Sequence, residues 1–202
     1  MADASSASVR LDVEYPEQLS RLHLVAKVLF GWLYVGIPHG IILGILSVAA
    51  LVLHVIAFIV VLFTGRYPRG IYDIMIGYHG WSVRVDAYTN LMTDKYPPFT
   101  MSADDYPAVM GIDYQEEVSR GTALLRFLLG WLYVGIPHGI ALGVLGIIGF
   151  VLLIIAALAI LFTGRYPQGI FDFLQGIMRW SLRVSAYLYL LNDKYPPFSL
   201  SR

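Results

Sequence analysis

The chain contains no cysteine, so disulfides, thiolate metal sites and cysteine nucleophiles are all excluded. It is also short of charge. Lys, Arg, Asp and Glu make up 14% of its 202 residues, where a soluble domain carries about 25%. Fourteen basic and fourteen acidic residues cancel, leaving no electrostatic footprint for nucleic acid. No nucleotide-binding glycine loop, zinc-protease motif, nucleophile elbow or paired-carboxylate spacing occurs, and the expectation is a protein that is not an enzyme. The small, polar stretch at 1–8 lacks the basic-then-apolar order of a signal peptide. Insertion is therefore expected to be directed by the apolar segments themselves.

Apolar side chains are what the chain has in excess. At 57% hydrophobic residues and a mean hydropathy of +0.66, it has too little polar surface to cover itself in water. This composition reads as an all-α integral membrane protein.

The ten residues Gly-Trp-Leu-Tyr-Val-Gly-Ile-Pro-His-Gly occur twice, at 31–40 and 130–139. A shift of 99 (130 minus 31) aligns 9–101 with 108–200 without a gap, defining two membrane repeats after the polar tail at 1–8. Between 31 and 99 about three positions in five are identical on that shift. Val9, Leu11, Val13 and Tyr15 alternate with polar residues, and Val109, Met110, Ile112 and Tyr114 do so more weakly. The two segments suit either a small ribbon outside the bilayer or extended loop.

From Leu22 to Phe63 the chain is almost continuously apolar, too long for one straight span of about 20 residues. Pro38 lacks an N–H, which divides the run into a short helix at 20–36 and a span at 38–63. Thr64-Gly65-Arg66 closes the span with a glycine cap. A further helix is expected at 69–92, with a counterpart at 168–191, stopped by Asp94-Lys95-Tyr96-Pro97-Pro98. Within the counterpart, Asp172, Gln175, Arg179 and Arg183 form a polar stripe at helical spacing.

Both repeats carry the same charged flanks: Arg21 matches Arg120, Lys27 matches Arg126, Arg66 matches Arg165 and Lys95 matches Lys194. Equal flanks imply equal orientation and hence an even number of crossings per repeat. The reading is about four transmembrane helices plus interfacial amphipathic helices, with the return crossing supplied either by 69–92 or by 20–36. The basic residues Arg10, Arg21, Lys27, Lys95, Arg120, Arg126, Lys194 and Arg202 are expected on the side of the termini, in the cytoplasm. Arg66, Arg69 and Arg165 are expected in loops on the opposite side.

Several residues are candidates for function. Gly36, Gly40 and Gly44, repeated as Gly135, Gly139 and Gly143, are spaced by four and read as packing seams between repeats or protomers. His39 and His138 are equivalent and are candidate haem or metal ligands if they meet at a local two-fold axis, against the alternative of a hydrogen-bonded interfacial His. His54 lies in mid-span as a candidate pigment ligand. Asp73, Arg84, Asp172, Arg179 and Arg183 are candidate intramembrane charges, for structural pairing or for a proton, ion or lipid pathway. Trp32, Trp131, Trp81 and Trp180 suit interfacial belts.

One combination is specific: Ile-Pro-His, a long apolar helix ending Leu-Phe-Thr-Gly-Arg-Tyr-Pro, then Trp-Ser, Arg-Val, Ala-Tyr and finally Asp-Lys-Tyr-Pro-Pro-Phe. It resembles the bacterial membrane family catalogued as domain of unknown function 4389, at 37–99 and 136–198. The first copy departs from it at His79-Gly80, where the second has Met178-Arg179. The resemblance implies a multi-pass protein of the bacterial inner (plasma) membrane and carries no activity. The leading expectation is an accessory or scaffolding subunit that packs against itself or other membrane subunits. The alternatives are a transport or lipid-handling protein and a haem- or pigment-binding subunit.

Overall fold

The computed structural model describes residues 9–103 and 105–201; the polar tail at 1–8 and Arg202 lie outside them. Strand β1 (Val9–Val13) pairs antiparallel with β2 (Ala108–Ile112), burying Leu11, Val13, Ala108 and Ile112. The ribbon alternative is the one observed. At its centre Leu11 opposes Met110, and 110 minus 11 is the repeat shift of 99. A local two-fold axis therefore runs through this pair.

The helices are α1 (Arg21–Gly31), α2 (Ile37–Thr64), α3 (Arg69–Thr89), α4 (Arg120–Gly130), α5 (Ile136–Thr163) and α6 (Gln168–Leu188). The expected break before Pro38 is absent. Instead α1 runs into α2 through a wide turn at Trp32–Gly36, and α4 runs into α5 through Trp131–Gly135. Each makes one continuous helix of 44 residues. The Ile37 N–H reaches back five residues to the Trp32 carbonyl, which lengthens the turn where Pro38 has no N–H to give.

The C-termini follow the sequence. Gly65 (φ 74°) and Gly164 (φ 73°) cap α2 and α5 in the left-handed conformation. At the end of α3, Leu91 adopts φ 61°, and Leu190 does the same after α6. The Met92 N–H bonds the Ala87 carbonyl and the Leu91 N–H bonds Tyr88, completing a Schellman turn without glycine. A left-handed leucine costs about 1–2 kcal/mol; burial of both leucines offsets it.

The two long helices are antiparallel. The Leu19 N–H bonds the Gly164 carbonyl and Arg21 bonds the Phe162 carbonyl, so the first helix starts where the second ends. At the other end the Val118 N–H bonds the Gly65 carbonyl. Their contacts pair α1 with α5 and α2 with α4. Helix α3 lies between α2 and β2, and α6 lies between α5 and β1.

This packing differs from the parallel arrangement that two crossings per repeat imply. Upright copies with two crossings each place their long helices parallel, and these are antiparallel. The loops after α2 and α5 lie against the segments that flank the ribbon. Arg66 pairs with Glu116 (3.6 Å), Arg69 stacks on Tyr114, the Tyr114 hydroxyl donates to the Tyr67 carbonyl, and the Tyr15 hydroxyl donates to the Tyr166 carbonyl. Both ends of each long helix are thus joined to segments flanking one ribbon.

The glycine stripe is also corrected as a seam between repeats. A Cβ built on Gly40, Gly44, Gly139 or Gly143 meets nothing within 4 Å, and at Gly36 and Gly135 it meets only its own helix. The glycines that do admit a neighbour closely are Gly77, Gly130, Gly149 and Gly176, against Met101, Leu188, Leu174 and Leu200. Gly65→Ala is expected to lower stability by about 1–2 kcal/mol through its left-handed φ. Gly40→Ala, in open space, raises it by up to about 1 kcal/mol through helix propensity. Thermal unfolding of both variants in detergent measures the contrast.

Candidate functional site

The proline that shapes each long helix leaves a carbonyl without a partner four residues earlier, at Tyr34 and Tyr133. The Tyr96 hydroxyl donates to Tyr34 O (2.9 Å), and Tyr195 donates to Tyr133 O (3.4 Å). These tyrosines come from the Asp-Lys-Tyr-Pro-Pro-Phe segments that follow α3 and α6. The same hydroxyls meet His39 Nε2 (3.1 Å) and His138 Nε2 (3.2 Å). On the other side of each ring, Trp81 Nε1 donates to His39 Nδ1 (3.0 Å) and Trp180 Nε1 to His138 Nδ1 (2.9 Å).

An indole N–H can only donate, so Nδ1 accepts and the histidine hydrogen sits on Nε2. Every donor then points one way: Trp to His, His to Tyr, Tyr to carbonyl. Phe99 stacks on the His39 ring at 4.0 Å and 6°, and Phe198 on His138 at 3.9 Å and 16°.

A second tie runs parallel to the first. Lys27 donates to the Thr93 carbonyl, pairs with Asp94 (3.3 Å) and lies 4.0 Å over the Tyr88 ring. Arg126 makes the matching contacts with the Asn192 carbonyl (3.0 Å), Asp193 (2.5 Å) and Tyr187 (4.3 Å). Tyr88 and Tyr187 in turn bond Tyr34 and Tyr133. Arg84 closes the tail by donating to the Thr100 carbonyl, as Arg183 does to Ser199 (2.6 Å). The scattered motif residues of each repeat therefore form one latch between a long helix, the helix after it and the tail.

This geometry corrects the cofactor candidates. His39 and His138 are wholly buried, each inside its own repeat's latch, and both ring nitrogens are engaged. Neither offers a free lone pair or an approach to an iron. Among the described residues no group of three His, Asp or Glu side chains could hold a metal. His54 is buried against the rings of Phe127 and Tyr189, with Nδ1 lacking a hydrogen bond. Trp81 and Trp180 are buried latch members rather than belt residues, while Trp32 and Trp131 are exposed.

The candidate intramembrane charges turn out to tie segments together or to lie at the surface. Asp73 pairs with Arg69 on exposed surface (3.0 Å), and Asp172 is exposed. Arg179 bonds the Leu11 carbonyl (2.8 Å) and Asp12 (3.1 Å), and Gln175 also bonds Asp12 (2.6 Å). The polar stripe of α6 is the face on which β1 docks.

Sequence reasoning missed a half-polar cavity of about 450 Å³ between α3 and α6. His79, Ser82, Asp86 and Asn90 line it from α3 and its end; Ser181 and Ser185 line it from α6. His79 Nε2 is buried there without a hydrogen bond. Asp86 lines the same cavity and is exposed to solvent. Both residues belong to α3, outside the two long apolar helices. Desolvation holds His79 down to about 4 and pushes Asp86 up to about 6. The only signal in the sequence was asymmetry: the second copy has Met178 and Ser185 at these positions.

Two tests follow from this chemistry. Tyr96→Phe leaves the Tyr34 carbonyl without its side-chain donor and the His39 Nε2–H without an acceptor, and is expected to cost about 1–3 kcal/mol in unfolding measurements. As pH falls from 6.5 to 4, the depressed His79 lowers stability while the raised Asp86 increases it. His79→Met therefore gives a protein that gains stability on acidification through pH 6 to 4. Asp86→Asn gives one that loses it more steeply than wild type. Denaturant midpoints across that window read both slopes.

No curated protein and no solved structure matches this chain. A family profile described as a domain of unknown function (DUF4389) matches twice, at 25–101 and 122–199. The matched segments contain both latches from Lys27 to Phe99 and from Arg126 to Phe198. The chain belongs to the DUF4389 family and holds two tandem copies of its domain.

Proposed function

We propose that this protein is a non-enzymatic membrane scaffold whose two long helices form an apolar layer in the bilayer beneath the β1–β2 ribbon. The observation that carries the reading is where the apolar surface lies. Leu22, Val28, Phe30, Ile41, Ile45 and Phe63 are all exposed along the first long helix, and Leu128, Ile140, Ile147 and Phe162 along the second. A helix of 44 residues is about 66 Å long at 1.5 Å per residue. That is roughly twice the hydrocarbon thickness of about 30 Å. With both helix ends tied to one ribbon, the local two-fold lies along the membrane normal and both repeats face the same way.

The equal flanking charges support the same arrangement, with an even number of crossings that includes none. Val9 and Ser201 line one small cleft, so the two described ends of the chain lie together on the ribbon side, which we assign to the cytoplasm of a bacterial inner membrane. The latches keep each long helix in register with its partner helix, as suits an accessory subunit packing against itself or other membrane proteins. The open surface around Gly40, Gly44, Gly139 and Gly143 is available for such packing.

The absence of native cysteine makes the test direct. Single-cysteine variants at Glu17, Arg66 and Arg165 are expected to react with an impermeant thiol reagent from the same side of the membrane. Labelling of Arg66→Cys from the side opposite to Glu17→Cys sinks the reading.

A further inference from the structure

The two halves of the molecule differ where α1 meets α5 and where α4 meets α2. In the second of these places the space is filled by the chain itself. Phe58 and Phe127 stack at 3.9 Å and 5°, and Leu188 covers Gly130. Their counterparts on the shift of 99 are Ala157, Val28 and Thr89. All three replacements are smaller. Where they stand, an apolar cavity of about 480 Å³ opens between α1, the end of α3 and α5. Gly31, the counterpart of Gly130, has only its own Lys27 Cβ nearby.

We infer that this cavity binds the acyl chain of a membrane lipid, in the place that Phe58, Phe127 and Leu188 occupy in the other half. The volume is that of a small-ligand site. Its mouth is formed by Val28, Trp32, Ile154 and Leu158, all exposed on the apolar layer, so it opens toward hydrocarbon. Lys27 is the one charged lining residue. Its ammonium group is already held by Asp94, the Thr93 carbonyl and the Tyr88 ring. No charge is left to select a head group, so the site recognises a chain and leaves the head outside.

The inference rests on the membrane reading above and gives its alternative, lipid handling, a place in the fold. The test plugs the cavity with the residues of the other half. Full-length protein is purified from membranes in mild detergent, exchanged into vesicles of phosphatidylcholine with brominated acyl chains, and read in two ways. One reading counts phospholipid retained per chain by native mass spectrometry after detergent washing. The other measures quenching of Trp32 as the difference between matched proteins with and without Trp32→Phe.

Wild type is expected to retain one lipid, with Trp32 quenching that persists after detergent washing has removed the bulk bilayer. Val28→Phe with Ala157→Phe, and separately the milder Thr89→Leu, are expected to lower retention by about tenfold or more, since each lost methylene contact weakens apolar binding severalfold. Equal retention by wild type and a folded Thr89→Leu protein overturns the inference. So does a wild type that carries no lipid, or one whose cavity is covered by a second copy of the chain. A protein recovered from the soluble fraction instead overturns the membrane reading, before any lipid is counted.

Discussion

The latch in each repeat depends on a hydrogen bond that proline cannot make. Pro38 and Pro137 each free a carbonyl one turn back, in the middle of an apolar helix where water is scarce. The wide turn takes up one displaced N–H, and a tyrosine hydroxyl from a distant tail satisfies the carbonyl. That tyrosine places its own oxygen against a histidine, and the histidine fixes a tryptophan on the neighbouring helix. A local backbone defect thereby becomes the point at which three separate segments are held together.

The second organising constraint is the ribbon. Its central pair joins equivalent residues, so the long helices related by that axis run in opposite directions. Each long helix has both ends at the segments flanking this ribbon, and its exposed side chains in between are mainly Ile, Leu, Val and Phe. The buried cations, Lys27 and Arg126, sit where the tails can supply carboxylates and carbonyls, which keeps them from facing the apolar layer unpaired.

Much of the fold was readable from the residues. The glycine caps at Gly65 and Gly164 followed from Thr-Gly-Arg-Tyr-Pro, and the start of α3 followed from the proline at 68. The strand alternation at 9–13 left ribbon and extended loop open, and the ribbon is what forms. The continuity of the long helices did not show, because a proline reads as a break unless its orphaned carbonyl has a visible donor; here that donor lies 62 residues away. Charge placement along the chain also did not show which loops would meet. Arg66 and Arg10 are separated by an apolar run in sequence, yet the chain between them returns to the same ribbon. The glycines at 40 and 44 have the spacing of a seam, but spacing alone does not say which side of a helix another segment will cover. His39 was identified as a candidate from its repetition, and its partners Trp81, Tyr96 and Phe99 were repeated just as faithfully.

A strand that pairs with its own counterpart is the geometry of an isologous dimer written into one chain. Two separate copies of a single repeat, meeting through the same strand, must remain identical, and any cavity they form appears twice. Joining the copies removes that restriction. One site can be filled with aromatic rings to hold the halves together while its twin loses them. The duplication thus supplies what a symmetric pair cannot: a division of labour between two places built to the same plan.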